Sequence, residues 1–512
     1  MLFNSFEFIL VFLPVVVTGF YLIKGLGRKK WSAAWLVIAS LFFYAWWRFE
    51  YLYLLLLSIG VNYLIGYWLS VMAKGSQRKQ LMLAGVSFNL LLLGYFKYAD
   101  FFLESIAGAL GNNHDALNII LPLAISFFTF QQIAYLVDAY EGKVRQYGFI
   151  NYCLFVSFFP QLIAGPIVHH REMIPQFIRN KAAPLDWSNI SVGIAIFSLG
   201  LFKKVIIADN LALDATPVFS KVDAGYAVTF FEAWQGALAY SLQLYFDFSG
   251  YCDMATGAAR CFGIRLPINF NSPYQARNII DFWRRWHMTL SRFLKDYLYI
   301  PLGGNRKGRA RRYLNLMTTM LLGGLWHGAG WNFVIWGGLH GLYLCVNHFW
   351  QALTGHLSIP SIIRKPGRVA GELLTLLAVV FAWVFFRAET LSGAVLMIEG
   401  LTGVNGVVIP AKYFERWGDF AVVLAGQGVD FREVDGLNTL SDFFIIIALW
   451  PVVRFLPNVY SMLDRYNPVV GELDKPLFRI RLGWGTGLLL AVIFTLALQS
   501  LNSVSEFLYF QF

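Results

Sequence analysis

Long apolar stretches recur from one end of the chain to the other, with short polar segments between them. They are continuous rather than alternating, and most approach the roughly 20 residues that a helix needs to cross about 30 Å of hydrocarbon. Only helices or closed barrels satisfy every backbone polar group in a bilayer, and continuous runs indicate helices. The candidate spans are 6 to 24, 31 to 47, 50 to 72, 81 to 97, 119 to 139, 150 to 165, 191 to 208, 227 to 247, 313 to 329, 331 to 351, 369 to 387, 441 to 457 and 484 to 500. The pattern therefore predicts an all-α, polytopic membrane protein with about 11 to 13 transmembrane helices.

Two segments, 166 to 190 and 249 to 312, are too polar for simple spans. We expect re-entrant or interfacial helices there, because irregular backbone at membrane depth needs protein or a water-filled cavity around it. Between 281 and 300, large apolar residues recur at spacings of three and four with cations between them, which predicts an interfacial amphipathic helix. A polar insertion from about 389 to 442 lacks a cationic bias and is predicted to be external.

Basic residues concentrate in short loops, and this sets the predicted orientation. The chain is 57% hydrophobic and 14% charged, and its net charge is +11. Segments 24 to 30 and 74 to 79 are basic, whereas the connection after the fourth span is acidic. By the positive-inside rule the N-terminus should face away from the cytoplasm, and 306 to 312 and 364 to 368 should face it. Glu7 stands where a signal peptide would carry cations, so we expect a retained first helix. No basic stripe with interleaved aromatic residues is apparent, which argues against a nucleic-acid partner.

Histidines in unusual settings are the main candidates for chemistry. His327 lies in the apolar segment LLGGLWHGAGW, where an ionisable group is by default a functional-site candidate. The alternative is a packing helix, in which Gly324 and Gly328 allow close approach and the histidine bonds across helices. His340 has similar neighbours, and we expect it to be structural. His287 lies among cations in RRWHMTLS, which favours a neutral imidazole that serves as a base or hydrogen-bond donor, or else an interfacial histidine beside lipid phosphate.

Other polar residues are weaker candidates. Asp247 and Asp253 lie near membrane depth, where they either pair with an arginine or line a cavity. His169 and His170 have no third ligand at metal-like spacing, so loop polarity is favoured over a zinc site. The four cysteines show no CxxC spacing and are interpreted as small apolar fillers.

A cationic run follows Gly304, in the sequence GGNRKGRARR. It predicts either a site for a polyanionic ligand or contact with anionic lipid headgroups. Its cations are Arg306, Lys307, Arg309, Arg311 and Arg312. No G-x-S-x-G elbow, G-x-x-x-x-G-K-[ST] loop or H-E-x-x-H helix is present, so the sequence does not indicate a serine hydrolase, an ATPase or a zinc protease.

Five motifs together are similar to a known family. They are FWRRWHMTLSRFLKDYLYIPLGGNR, GGLWHG, YFDFSGYCDMA, AGPIVHHRE and the terminal EFLYFQF. They resemble the membrane-bound O-acyltransferase (MBOAT) family, and within it the bacterial branch that contains the alginate O-acetyltransferase membrane subunit. The resemblance covers essentially the whole chain, so we expect one integral-membrane domain over 1–512 with a catalytic block at about 150 to 350.

The resemblance implies a role for several residues. His327 matches the family's catalytic histidine and His287 the second histidine of this branch. It also implies a ring of helices with a central tunnel, for which Asp247, Asp253 and Trp326 are candidates. An acyl thioester is already activated, so the reaction needs a base for the acceptor hydroxyl and donors for the oxyanion, without a bound metal or cofactor. We expect His327 to be the base and His287 its orienter or an oxyanion donor.

The expected function is a transmembrane O-acetyltransferase of the bacterial inner membrane, with a periplasmic N-terminus. It would move acetyl from cytoplasmic acetyl-CoA, its phosphates bound by the cationic run, to a hydroxyl of an exported alginate-type polysaccharide or cellulose, or of a periplasmic partner acyltransferase. Membrane lipid, that partner and a polysaccharide synthesis and export complex would be its neighbours. One alternative is D-alanyl transfer from a carrier protein to teichoic acid. Another is a transporter of polysaccharide or lipid-linked sugar, with Asp247, His287 and His327 as a proton relay.

Overall fold

The fold is built almost entirely from helices. The computed structural model describes residues 1–112, 116–144, 146–179, 185–355, 361–432, 440–502 and 508. In chain order the α-helices are α1 (Leu13–Gly25), α2 (Lys29–Ala45), α3 (Glu50–Val71), α4 (Ser76–Leu93), α5 (Ala99–Ala109), α6 (Ile125–Tyr140), α7 (Phe149–Ser157), α8 (Phe159–Leu162), α9 (His170–Arg179), α10 (Trp187–Phe202), α11 (Asp209–Asp223), α12 (Phe230–Cys261), α13 (Ile279–Trp283), α14 (Met288–Leu294), α15 (Arg309–His327), α16 (Trp331–Thr354), α17 (Ser361–Arg387), α18 (Leu391–Thr402), α19 (Lys412–Trp417), α20 (Asp419–Gly426), α21 (Leu440–Phe455), α22 (Val459–Met462) and α23 (Trp484–Gln499).

Four π-helical segments and three 3-10 turns join or extend these helices. The π-helices are Glu7–Phe12, Gly94–Tyr98, Lys203–Ala208 and Lys295–Tyr299, and the 3-10 turns are Pro273–Gln275, Asp464–Tyr466 and Ser500–Asn502. Two short strands, β1 (Val407–Pro410) and β2 (Val429–Arg432), pair in parallel, with Val407 opposite Val429. They lie in the insertion predicted to be external, of which 433–439 fall outside the described residues.

Several helices are long and apolar enough to cross a membrane. Within the described ranges there are five: Glu7–Gly25, Glu50–Val71, Ser76–Ala109, Trp187–Asp223 and Lys365–Arg387. Shorter apolar helices are Lys30–Ala45, Leu391–Thr402, Phe443–Phe455 and Trp484–Gln499. Large apolar side chains also cover the outer surface, for example Leu22, Leu91 and Leu488, which are 66%, 72% and 70% exposed. A soluble monomer rarely exposes so much apolar surface, so the prediction of an all-α polytopic membrane protein is confirmed.

The long helix α12 forms the centre of the fold. Its 32 residues rise about 48 Å, and nearly all of them are buried against α10, α11, α17 and α18. Its backbone touches that of α10, since a Cβ added at Gly257 would lie 2.6 Å from the carbonyl oxygen of Gly193. The predicted span of 227 to 247 ended too early, because the polar residues that follow face protein rather than lipid, and several of them find partners there, as Asp253 does with Lys203.

The predicted amphipathic helix from 281 to 300 is wrong in one respect. The chain there forms α13, α14 and the π-helix Lys295–Tyr299, with a left-handed turn at His287 (φ +42°) between the first two. Its apolar residues pack against protein: Trp286 packs on Trp383 with ring centroids 5.0 Å apart, and Phe293 stacks on Phe130 at 4.1 Å. The three- and four-residue spacing therefore identified the buried face, but it did not predict the break in the helix at His287.

The predicted span from 150 to 165 is also divided. It forms α7 and the short helix α8, which separate at Phe158 (ψ 108°). Pro160 lies in the first turn of α8, where its missing N–H has no intrahelical partner to lose. Apart from the first turn of α7, both pieces are buried, so neither is a simple lipid-facing span.

Candidate active site

His327 is the last residue of α15, at a turn made by glycines. Gly328 is extended (φ −156°, ψ 149°) and ends the helix, and α16 begins at Trp331. The two helices pack closely at Gly324, where an added Cβ would lie 3.0 Å from the Cα of Gly337. The side chain of His327 points into the protein and is only 4% exposed. The predicted close packing through Gly324 is confirmed, and it fixes the end of α15 deep in the fold.

The imidazole of His327 lies among aromatic rings from three helices. Its ring centroid is 5.0 Å from that of Trp336 on α16 and 5.2 Å from that of Phe386 on α17. The ring of His287 lies 6.1 Å away, at an interplanar angle of 61°. The structure thus brings together the two histidines that the sequence singled out.

His287 occupies the left-handed turn between α13 and α14 and is fully buried. Its Nδ1 lies 3.1 Å from Oδ1 of Asn269, an oxygen that also accepts from the Thr289 hydroxyl at 2.8 Å. Because that oxygen can only accept, Nδ1 of His287 is the donor, and the lone pair of a neutral ring resides on Nε2. A non-glycine residue with positive φ is uncommon and tends to be held at functional sites, where the surrounding contacts determine it.

Trp326, a predicted tunnel residue, is buried beside both histidines. It stacks on Phe130 with centroids 5.2 Å apart, and its ring is 6.1 Å from that of His287. The indole N–H groups of Trp326 and Trp336 are buried without a hydrogen-bond partner among the described residues. Two donors without protein acceptors therefore lie next to His327.

Asp247 and Asp253 form ion pairs between α12 and the π-helix Lys203–Ala208. Oδ1 of Asp247 is 2.6 Å from Nζ of Lys204, which also contacts Asp209 at 2.7 Å. Oδ2 of Asp253 is 2.7 Å from Nζ of Lys203. Of the two alternatives, pairing is therefore observed, with lysine rather than arginine as the cation.

Three further histidines of the described ranges, His340, His170 and His169, have structural contacts. Nδ1 of His340 accepts the indole N–H of Trp283 at 3.3 Å. Nε2 of His170 is 2.9 Å from Oδ2 of Asp138. Burial, and next the charge of Arg292, lower the pKa of His169 to about 4, so this imidazole is neutral at ordinary pH. No group of three potential metal ligands occurs in the described part of the chain.

The cationic run lies at the opposite end of α15 from His327. Arg309 and His327 are the two ends of that helix, about 27 Å apart by its rise. Arg306, Lys307, Arg309 and Arg311 are exposed. Arg312 contacts Nδ1 of His348 at 2.6 Å, and His348 lines a cavity of about 480 Å³ with Arg277, Arg284 and Arg285. Of the run, Arg312 thus lies beside a basic cavity, and the run as a whole lies far from His327.

Lys97 also contacts this site, although it is not among the residues predicted from the sequence. Its Nζ lies 2.6 Å from the carbonyl oxygen of Trp326 and 3.0 Å from that of His327. The signal was present, since a lysine in the run LLLLGYFKY is an ionisable group within an apolar span.

Comparison with known proteins places this arrangement in a family. The family model of membrane-bound O-acyltransferases matches residues 42–386. The chain is 47% identical to a peptidoglycan O-acetyltransferase of Helicobacter pylori over 80% of this chain and 81% of the relative. It is 38% identical to a probable alginate O-acetylase of Pseudomonas putida over the full length of both. A teichoic acid D-alanyltransferase of Bacillus subtilis is 29% identical over 46% of this chain and 62% of its own. The chain therefore belongs to the membrane-bound O-acyltransferase family and is an integral membrane O-acyltransferase.

Proposed function

We propose that this chain transfers acetyl from acetyl-CoA to a hydroxyl group, with His327 as the base. The observation that carries the proposal is the buried pair His287 and His327, with two indole N–H groups beside it. An enzyme that uses an activated thioester needs just these elements: a base for the attacking hydroxyl and donors for the oxyanion. The acetyltransferase relatives also match far more of the chain than the D-alanyltransferase does.

In the proposed reaction the acceptor oxygen attacks the thioester carbonyl carbon while His327 takes the hydroxyl proton. The carbonyl oxygen becomes an oxyanion, which the indole N–H groups of Trp326 and Trp336 would stabilise. When the tetrahedral intermediate collapses, the C–S bond breaks and the imidazolium returns its proton to the coenzyme A thiolate. The products are the acetylated acceptor and coenzyme A in its thiol form, and His327 is neutral again.

We assign His287 the role of orienting its neighbours rather than of stabilising the oxyanion. Its Nδ1–H is committed to Asn269, so Nε2 of the neutral ring can accept a hydrogen bond but cannot donate one. An acceptor beside His327 would orient the N–H of that ring or the hydroxyl of the acceptor substrate. Of the two roles expected from the sequence, this tautomer supports the orienter.

The acetyl donor is proposed to arrive from the cytoplasmic side. Arg306, Lys307, Arg309, Arg311 and Arg312 would bind the phosphates of coenzyme A, and the cavity beside His348 adds further arginines for the same purpose. This site lies at the far end of α15 from His327, so it would anchor the distal part of a long donor and leave the thioester to reach the base. The N-terminus would be periplasmic, in an inner membrane.

The acceptor is proposed to be a glycan of the cell envelope. The two acetyltransferase relatives named above act on peptidoglycan and alginate according to their names, and cellulose is a further candidate of the same chemistry. The acetyl group would pass either directly to the glycan or to a periplasmic acyltransferase within a synthesis and export complex. A single domain with a tunnel beside Trp326 would connect the two sides of the membrane.

Purified protein in proteoliposomes tests the proposal. Acetyl-CoA radiolabelled in the acetyl group is supplied on one side, and peptidoglycan or alginate with periplasmic extract on the other. We expect free coenzyme A and labelled glycan in equal amounts, and no dependence on an ion gradient. No release of coenzyme A under any of these conditions would contradict acetyl transfer, and gradient-driven glycan movement without release would favour a transporter.

A further inference from the structure

We propose that Lys97 and Tyr98 form a clamp that positions His327 by holding the C-terminal end of α15. Lys97 is thus a positioning residue, which acts through the backbone of the base. The inference rests on the role proposed above for His327, and it adds to the site two residues from the π-helix between α4 and α5.

The clamp completes the hydrogen bonding of the helix end. The last four carbonyl groups of an α-helix have no intrahelical donor and need other partners when they are buried. Of these four in α15, Gly324 receives the N–H of Gly328 at 3.4 Å, and Leu325 receives the hydroxyl of Tyr98 at 2.9 Å. The remaining two, Trp326 and His327, receive Nζ of Lys97 at 2.6 and 3.0 Å. All four carbonyls are satisfied, three of them by two adjacent side chains.

The local backbone of the clamp is itself unusual. Lys97 and Tyr98 belong to the π-helix Gly94–Tyr98, which lies between α4 and α5 in one continuous helical run. π-helical turns are rare, and they occur frequently at functional sites because they redirect side chains. Here the turn lets two consecutive residues contact the same helix end.

Charge and ring contacts favour the same arrangement. A cation near the C-terminus of a helix interacts favourably with the helix dipole. Nζ of Lys97 also lies 5.8 Å from the ring centroid of Trp326, within cation–π range. One side chain therefore restrains both the carbonyl of His327 and the ring of Trp326, the base and an oxyanion donor of the proposed mechanism. Helix ends fray without such contacts, and a displacement of about 1 Å at a reacting group can cost about a hundredfold in rate.

Arg78 provides a matched control for a purely structural effect. It is also a buried cation, and it donates to the carbonyls of Leu69 at 2.9 Å and Ala139 at 3.0 Å, with its guanidinium 5.7 Å from the ring centroid of Tyr140. It stabilises the ends of α3 and α6 in the same way, but it contacts neither histidine in the described structure. If Lys97 were only a structural cap, the two substitutions would have the same effect on catalysis.

The experiment compares Lys97→Met, Lys97→Arg, Tyr98→Phe and Arg78→Met in proteoliposomes, with rates normalised to folded protein. We expect Lys97→Met to lower kcat about 10- to 100-fold with KM for acetyl-CoA unchanged, Lys97→Arg to recover most of the loss, and Tyr98→Phe to lower kcat a few-fold. Arg78→Met should lower thermal stability but leave kcat per folded molecule within about twofold of the wild type.

Two outcomes overturn the clamp. One is full kcat in folded Lys97→Met, and the other is an equal loss of kcat in Lys97→Met and Arg78→Met. Wild type and His327→Ala are measured in parallel, so that a wild type that releases no coenzyme A marks failure of the proposed function itself. Where the wild type is active and His327→Ala is not, either of the two outcomes counts against the clamp alone.

Discussion

The imidazole rings of His287 and His327 lie 6.1 Å apart between centroids, although they come from separate helical segments. His327 ends α15, and His287 stands in the left-handed turn before α14. Both side chains are buried, so the pairing is a feature of the folded interior rather than of a surface. Since an isolated ionisable side chain is costly to bury, two of them in contact at the centre of the protein point to use in chemistry.

Removal of the Asn269 side chain should impair His287 while leaving the side chain of His327 itself unchanged. Asn269→Ala deletes the acceptor of the Nδ1–H group, so the ring loses its fixed tautomer and orientation. We expect kcat for acetyl transfer to fall at least about tenfold, with KM for acetyl-CoA little changed. Coenzyme A release, normalised to folded protein, measures this.

Asn458→Ala is the control for loss of a buried amide. Asn458 also donates to another buried asparagine, Asn271, at 2.9 Å, but neither contacts the histidines. The Asn458→Ala substitution should lower the free energy of unfolding and leave kcat for acetyl transfer unchanged. Equal kcat in Asn269→Ala and the wild type would show that His287 needs no orientation.

Breaking the pair of Asp253 and Lys203 should affect folding more than activity. Asp253→Asn leaves the ammonium of Lys203 buried without its counter-charge, which typically costs about 3–5 kcal/mol of stability. Joint replacement, Asp253→Leu with Lys203→Met, should recover much of that loss, because no uncompensated charge remains.

Thermal unfolding in detergent measures the stability of both variants, and coenzyme A release measures their activity. If Asp253 instead serves in the proposed tunnel, the double variant will be stable but inactive. That result would show that Asp253 has a functional role.

The glycines of the WGGLHG motif should differ sharply in tolerance. An added Cβ at Gly337 would meet the backbone carbonyl oxygen of Met320 on α15, so Gly337→Ala must push α15 and α16 apart. At Gly338 the nearest atom is Cδ2 of Leu321 at 3.5 Å, an ordinary contact. We expect Gly337→Ala to lose folded yield and most activity, while Gly338→Ala stays within about 0.5 kcal/mol of wild-type stability. Similar stability of the two variants would contradict the packing described for these helices.

Neutralising the cationic run should weaken donor binding without slowing chemistry. Arg309→Gln with Arg311→Gln removes two exposed cations about 24 to 27 Å from His327, so KM for acetyl-CoA should rise roughly tenfold at unchanged kcat. The control replaces Lys74, which precedes α4, and Lys79, in its first turn; both are exposed in a segment predicted to be cytoplasmic. If both double variants raise KM equally, or neither does, the run interacts with lipid headgroups and not with the donor.

Much of the helical framework could be predicted from the sequence, because its spans are long and uniformly apolar. α16, for example, begins at Trp331 as predicted and ends at Thr354, three residues beyond the predicted limit. Hydropathy fails in α12, whose second half is polar yet buried, since there the surroundings are protein and its polar groups find partners such as Lys203.

The candidate site was only partly accessible to sequence reasoning. His327 and His287 were found because each is an ionisable residue in an improbable setting. Their proximity was not predictable from spacing, since it depends on the left-handed turn at His287 and its bond to Asn269. Lys97 carries the same sequence signal, an ionisable residue in an apolar span, but its contact with His327 could not be predicted because its partners are backbone carbonyls.

The most direct test of the account is the acetyl-transfer rate of His327→Ala beside that of His340→Ala. Both histidines are buried in the same aromatic cluster, but His340 accepts a hydrogen bond from Trp283 and is assigned a structural role. With rates of coenzyme A release normalised to folded protein, we expect His327→Ala to lose at least about a thousandfold, as for a general base, and His340→Ala to retain most of its kcat. A folded His327→Ala variant with more than a tenth of the wild-type rate would contradict the assignment of His327 as the base.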